Sequence, residues 1–178
     1  MIYIQSERII IRDLKEKDVD AFYKYRSDKE LLKYQNFSTP SLDFAQSFIK
    51  EQKSIKIGQK DEWKQLAIAL PDDTLIGDCA VQFTPEENRI AELGCTIMKD
   101  YHNKGYATAA LKLLTTYIFK EFPIHKFKAL VDIRNIASQK MLEKSGFQKE
   151  GHFIKHYWDE NDQDWIDELQ YGLLNTVK

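Results

Sequence analysis

The sequence predicts a mixed, mostly antiparallel sheet of about seven strands with helices on both faces, an α/β fold of the α+β type. Three observations predict it. Residues 63–70, 74–83 and 91–98 are apolar, β-branched runs separated by short turns, the pattern of an antiparallel meander. Residues 91–98, 105–122 and 127–133 read as strand, helix and strand, which calls for a right-handed parallel crossover. Residues 147–158 and 165–174 are strand-like runs on either side of the turn DENDQD.

In chain order, residues 7–14 (ERIIIRDL) form the first strand. Residues 18–34 carry Ala21, Phe22, Tyr25, Leu31, Leu32 and Tyr34 at helical spacing, and Ser27-Asp28 is expected to divide them into two helices, because both residues favour caps. After a loop at 36–40, residues 41–57 read as a helix with Ser41 as its cap and Phe44, Ala45, Phe48 and Ile49 as its apolar face; Gly58 ends it. Turns follow at Pro71-Asp72-Asp73 and Pro85-Glu86-Glu87-Asn88. Gly94 lies inside a strand, where glycine often marks a bulge or a close backbone approach. Gly105 opens a helix with Ala107, Ala110, Leu111, Leu114 and Ile118 on its apolar stripe. Residues 137–145 form a short helix stopped by Gly146.

At 178 residues the chain, 1–178, is most simply one domain. A hydrophobic fraction of 43% and a charged fraction of 30% are ordinary for a globular protein. With a formal net charge of −2 and neither a basic stripe nor a reading motif, no nucleic-acid partner is expected. No apolar run is long enough to span a bilayer and MIYIQSERII lacks a signal-peptide core, so no membrane partner is expected either. Cys79 and Cys95, the only cysteines, lack CxxC spacing and read as reduced core residues of a cytoplasmic protein.

The junction at Gly105 is the most informative stretch. A strand, a short polar loop and a glycine lead into a helix, which leaves backbone N–H groups unpaired at the positive end of the helix dipole. That arrangement suits an anion, most naturally a phosphate. No acid lies between His102 and the end of the first helical turn, and Lys104 adds positive charge.

His102-Asn103-Lys104-Gly105-Tyr106-Ala107 resembles the pyrophosphate loop of the Gcn5-related N-acetyltransferases (GNAT), Q/R-x-x-G-x-G/A. The longer string GCTIMKDYHNKGYATAAL is similar, without gaps, to the ribosomal-protein N-terminal acetyltransferase branch, often GYWLHPDYWGKGYATEAL. His102 stands for the usual Trp and Asn103 for the usual Gly; neither change removes a backbone N–H. Residues 135–147 resemble the same branch's N-x-x-S-x-R/K-V/M-L-E-K-x-G-F signature.

The resemblance implies an acyl-CoA acyltransferase fold, with acetyl-CoA as acyl donor, no metal, and transfer to a primary amine. It implies that backbone N–H groups of Asn103, Lys104, Gly105, Tyr106, Ala107 and Thr108 hold the pyrophosphate. It places the acetyl-thioester where the strands at 91–98 and 127–133 splay apart, with free N–H groups of Ile97 and Met98 binding the pantetheine amides. Asn135 would contact the pantetheine arm, besides serving as a helix cap, and Lys140 would meet the 3′-phosphate unless it is simply solvated.

Attack of an amine on a thioester needs a base, stabilisation of the oxyanion and, in many cases, a proton for the departing thiolate. Glu92 is the expected base, with a strand-edge salt bridge as its plain alternative. A backbone N–H near Ile97 is the expected oxyanion donor. Many family members carry a tyrosine where Leu142 stands, and leucine cannot donate a proton. Ser138 is the substitute the branch implies, against the alternative of a first-turn serine bonded to the backbone; Tyr101, Tyr106 and Tyr157 also carry phenols.

His152 and His156 are expected on one strand face with Ile154 between them and lack an obvious third ligand, so no metal site is expected. GxSxG is absent. The acidic turn at 159–164, flanked by Trp158 and Trp165, reads either as a solvated loop or as an acceptor-site border that attracts a cationic amine. The acceptor is a protein N-terminus, a polyamine or an aminoglycoside-like amine, selected by residues 18–57 and the last hairpin. A homodimer and acyl groups other than acetyl stay open. The competing reading is a non-catalytic acyl-CoA-binding module on the same fold.

Overall fold

The computed structural model describes residues 1–35, 37–59, 62–84, 89–160 and 162–176. The turn expected at 85–88 therefore lies outside the described residues, as do Asn36 and Asn161. The elements are β1 (Ile2–Gln5), β2 (Ile10–Asp13), α1 (Val19–Arg26), α2 (Leu42–Gln52), β3 (Lys64–Ala69), β4 (Leu75–Thr84), β5 (Ile90–Ile97), α3 (Tyr106–Glu121), β6 (Lys126–Asp132), α4 (Ile136–Lys144), β7 (Gln148–Asp159) and β8 (Asp164–Leu174). The strands form one sheet in the order β1-β2-β3-β4-β5-β6-β8-β7. All neighbouring pairs are antiparallel except β5 with β6.

The sheet has eight strands, one more than expected. The extra strand is β1, joined to β2 by a tight turn in which the Ser6 N–H donates to Ile9 O at 2.9 Å. The Ser6 hydroxyl accepts from the N–H groups of Arg8 and Ile9, so the chain reverses before Ile10. The second helix expected after Ser27 shrinks to helical turns, although Asp28 does cap them: its Oδ1 accepts from the N–H groups of Glu30 and Leu31. Ser41 caps α2 as expected, accepting from the Phe44 N–H at 3.1 Å, but α2 stops at Gln52.

Two apolar cores sandwich the sheet. On one face, Leu66, Val81, Leu93 and Phe127 pack with Leu111 and Leu114 of α3. On the other, Phe22 and Tyr25 of α1 pack with Ala45 and Ile49 of α2 over Ala67. No helix among the described residues is long and apolar enough to cross a membrane.

β5 is held along its whole length by β4, from Gly77↔Ile97 to Thr84↔Ile90. Gly77 allows this close approach, since a Cβ there would lie 2.2 Å from Thr96 O. Cys79 and Cys95 face each other across the same pair, both as free thiols. Burial raises the thiol pKa of each, that of Cys95 to about 12, with the nearby Asp78 carboxylate adding to both shifts.

Asp78 is fully buried on the α1 face. It accepts from the Tyr25 hydroxyl, from Arg26 through Nε (2.9 Å) and Nη2, and from Gln65 Nε2 at 2.5 Å. Burial and the adjacent carboxylate push the Tyr25 hydroxyl well above its ordinary range. A buried carboxylate stripped of its cation is costly, so Arg26→Met should lower unfolding free energy by about 3–5 kcal/mol in urea titration. A loss below about 1 kcal/mol would mean that Asp78 is not held by this pair. Gly77→Ala should cost about 1–3 kcal/mol by the same measurement, because backbone rather than a pliable side chain occupies the space.

Candidate active site

Gly105 caps α3 in the left-handed region at φ +77°, a conformation open to glycine without a Cβ penalty. Asn103 also lies there, at φ +59°. The Ala109 N–H makes the first helical bond, to Gly105 O at 3.0 Å, so the N–H groups of Tyr106, Ala107 and Thr108 belong to the open first turn. That end carries neither a side-chain cap nor an acidic residue. His102 braces the loop from within, with Nε2 2.7 Å from Ile97 O.

Sequence reasoning missed Arg8. Its Nη2 donates to Lys104 O at 2.7 Å, and its guanidinium lies 5.0 Å from the centre of the Tyr106 ring. It thus brings a cation from the β1–β2 turn onto the loop. No local pattern could announce a contact spanning 96 positions. Lys104 folds back along its own loop instead: its Nζ donates to Asp100 O at 2.9 Å and sits 5.5 Å from the Tyr101 ring.

β5 and β6 pair at only three positions, Ile90↔Lys126, Ala91↔Phe127 and Glu92↔Lys128, and then part. The Met98 N–H donates to Ile76 O of β4 at 2.9 Å. This corrects the expectation of two free donors here: the Met98 N–H is engaged with β4. By strand alternation, the N–H of Ile97 faces the other way, into the splay, as does that of Cys95.

Glu92, Gly94 and Thr96 lie on the α1–α2 face of β5, opposite the buried Ala91 and Leu93. The expected bulge at Gly94 is absent, because the register runs unbroken through Leu93, Gly94 and Cys95. Instead Gly94 is exposed, and a Cβ there would meet nothing within 4 Å. It forms the floor of an open hollow beside the splay. Glu92 Oε2 lies 3.7 Å from Lys128 Nζ, both half-buried, which realises the strand-edge ion pair.

At the end of β6, Asn135 caps α4, its side chain accepting from the Ser138 N–H at 3.1 Å. Ser138 is half-buried and Lys140 exposed. Leu142 is 1% exposed, wholly within the core. Tyr101 and Tyr106 meet edge to face at 6.1 Å beside the α3 terminus. Tyr157 lies on β7, its hydroxyl pKa raised by burial and by nearby Asp159.

The acidic turn is organised by a second residue that sequence reasoning passed over. Arg134 pairs with Asp132 at the end of β6, with Asp159 at 2.7 Å and with Asp162. Its guanidinium lies 5.4 Å from the Tyr34 ring. The histidine geometry also differs from expectation. A bulge carrying Lys155 at φ +50° separates the pairs Phe153↔Glu168 and Tyr157↔Ile166, and each histidine takes its own acid. His152 meets Asp167 and His156 meets Glu168, both at 2.7 Å. Among the described residues no group of three or more His, Cys, Asp or Glu side chains is placed to hold a metal ion.

Comparison with known proteins joins this geometry to a family. The family model for the acetyltransferase (GNAT) domain matches residues 8–148. The chain is 31% identical over 174 residues to the uncharacterized N-acetyltransferase YnaD of Bacillus subtilis (strain 168), covering 97% of each chain. It superposes with a TM-score of 0.84 on the crystal structure of a GNAT-family acetyltransferase from Bacillus anthracis, at 28% identity, covering 99% of this chain and 100% of that one. The spermidine N-acetyltransferase of Vibrio cholerae, solved with CoA and spermine, shares the fold at a TM-score of 0.80 and 18% identity, covering 96% and 98% of the two chains. The parted strands, the uncapped helix terminus and the family match agree: the chain is an N-acetyltransferase of the GNAT acetyltransferase family.

Proposed function

We propose that the β5–β6 splay holds acetyl-CoA and that a primary amine reaches it over the Gly94 hollow. The observation that carries this reading is the end of β5–β6 pairing at Glu92↔Lys128, next to a helix terminus without acid or cap. The chemistry of the groups present suits the donor: open N–H groups for phosphates, and a strand edge for amides. When bound, acetyl-CoA supplies an acyl group already activated as a thioester.

The N–H groups of Gly105, Tyr106, Ala107 and Thr108 bind phosphate oxygens with those of Asn103 and Lys104, and Arg8 supplies the positive charge that Lys104 turns away. The Ile97 N–H donates inside the splay. Asn135 uses its Oδ1 for the cap, so its Nδ2 is the group it offers to the pantetheine arm. Lys140, exposed on α4, serves a peripheral phosphate. Glu92 takes the proton of the incoming ammonium, and Lys128 keeps the carboxylate at the edge of the hollow. Ser138, whose backbone N–H is held in the first turn of α4 by the Asn135 cap, offers its hydroxyl to the departing sulfur. The acceptor is a primary amine of a protein N-terminus, a polyamine or an aminoglycoside. The Vibrio cholerae protein of the same fold is a spermidine N-acetyltransferase solved with CoA and spermine, which supports a primary amine as acceptor.

The deciding experiment pairs calorimetric binding of acetyl-CoA with thiol release against spermidine, kanamycin and a hexapeptide with a free N-terminus. Binding with release from one amine class supports the reading and names the acceptor. Absence of acetyl-CoA binding would sink it. Glu92→Gln should lower turnover by about 100-fold or more, the usual worth of a general base, while acetyl-CoA affinity stays unchanged. Wild-type turnover in that variant would remove Glu92 from the role. Gly94→Ala should leave the melting temperature in place, as its methyl meets no protein atom, yet depress transfer by narrowing the hollow. Equal loss of stability and activity would contradict that account.

A further inference from the structure

We propose that residues 28–35 form a bracket across the mouth of the β5–β6 splay and that Gln35 is a positioning residue for the acceptor amine. This rests on the reading above of the splay as the acetyl-transfer site.

Past Glu92↔Lys128 no ladder joins β5 to β6, so the width of the opening is set from elsewhere. The connection leaving α1 reaches both sides of it. On the β5 side, Thr96 Oγ1 donates to Gln35 Oε1 at 2.6 Å, and Lys99, just past β5, pairs with Asp28 at 2.8 Å. On the β6 side, the Tyr34 ring meets the Arg134 guanidinium, which is itself pinned to Asp132, the last residue of β6. The adjacent residues Tyr34 and Gln35 thus touch opposite banks of the gap.

Gln35 is the junction of the bracket. Its Oε1 also accepts from Arg26 Nη1 at 2.9 Å, and Arg26 is locked to the buried Asp78 of β4. One amide oxygen, with its two lone pairs, therefore couples α1, β4 and β5. Thr96 is 4% exposed and stands on the same strand face as Gly94, two residues away. The bracket accordingly borders the hollow over which the amine approaches, on the face opposite α3. The terminus at Gly105 and the loop clamped by Arg8 lie outside it. Loosening the bracket should misplace the amine and spare the acyl donor.

The test compares Gln35→Ala, Gln35→Glu and Thr96→Val with wild type. Steady-state constants are measured for acetyl-CoA and for whichever of spermidine, kanamycin and the free-N-terminus hexapeptide the wild type acetylates, and amide hydrogen exchange is followed in residues 28–35. Thr96→Val should raise the acceptor KM about tenfold, the ratio expected from one lost hydrogen bond, and Gln35→Ala, which loses two, at least as much, with acetyl-CoA binding within about twofold of wild type in both. Exchange in 28–35 should quicken in both. Gln35→Glu keeps an oxygen that accepts from Arg26 and Thr96, so it should restore both readouts. Parallel loss of acceptor and acetyl-CoA constants would mark Gln35 as merely structural and overturn the proposal, as would constants unchanged from wild type in an active enzyme. Wild type that releases no thiol with any of the three amines would overturn the acetyl-transfer reading, and the bracket's role with it.

Discussion

Three residue pairs hold β5 to β6, and the arrangement of the rest of the molecule follows from where those pairs stop. An interrupted parallel ladder would ordinarily leave two strands unsupported. Here each has a full-length partner on its other edge, β4 for β5 and β8 for β6, so the strands part without loss of either ladder. Each parted strand then feeds a helix, β5 into α3 and β6 into α4. Both helix N-termini therefore sit at the open end of the gap, where partial positive charge gathers, and the α3 terminus carries no side-chain cap. A sheet that stayed paired would have filled this space with backbone.

The two faces of the sheet divide the labour. The α3 face supplies most of the apolar core. The α1 face carries a buried polar network, centred on Asp78, directly beneath the segment that crosses the splay. Burying a carboxylate among a guanidinium, a phenol and an amide gains little over an apolar core in net stability. Its physical effect is directional: hydrogen bonds set where Arg26 points, and through it where Gln35 rests.

Much of this was legible in the sequence, for identifiable reasons. The meander, the crossover and the helix at Gly105 rest on local periodicity and on a glycine whose left-handed conformation the structure realises. The caps at Ser41 and Asn135 follow from side-chain chemistry within three residues. What escaped was non-local or directional. β1 is too short, at four residues, to announce itself against the run that follows. The direction of the Met98 N–H depends on the phase of the β4–β5 register, which no single strand reveals. Arg8, Arg134 and Gln35 act across turns and strands far from their own neighbours, and Gly94, read as a bulge or close approach, proved to face open space.

The register that sets Cys79 opposite Cys95 carries a consequence for redox chemistry. Exchange between sulfurs proceeds through thiolates, and both cysteines are held protonated at neutral pH by their burial and by the Asp78 carboxylate. Toward a disulfide brought from outside, the side chains that complete the core between β4 and β5 are thereby poor nucleophiles, and the facing pair persists as two thiols.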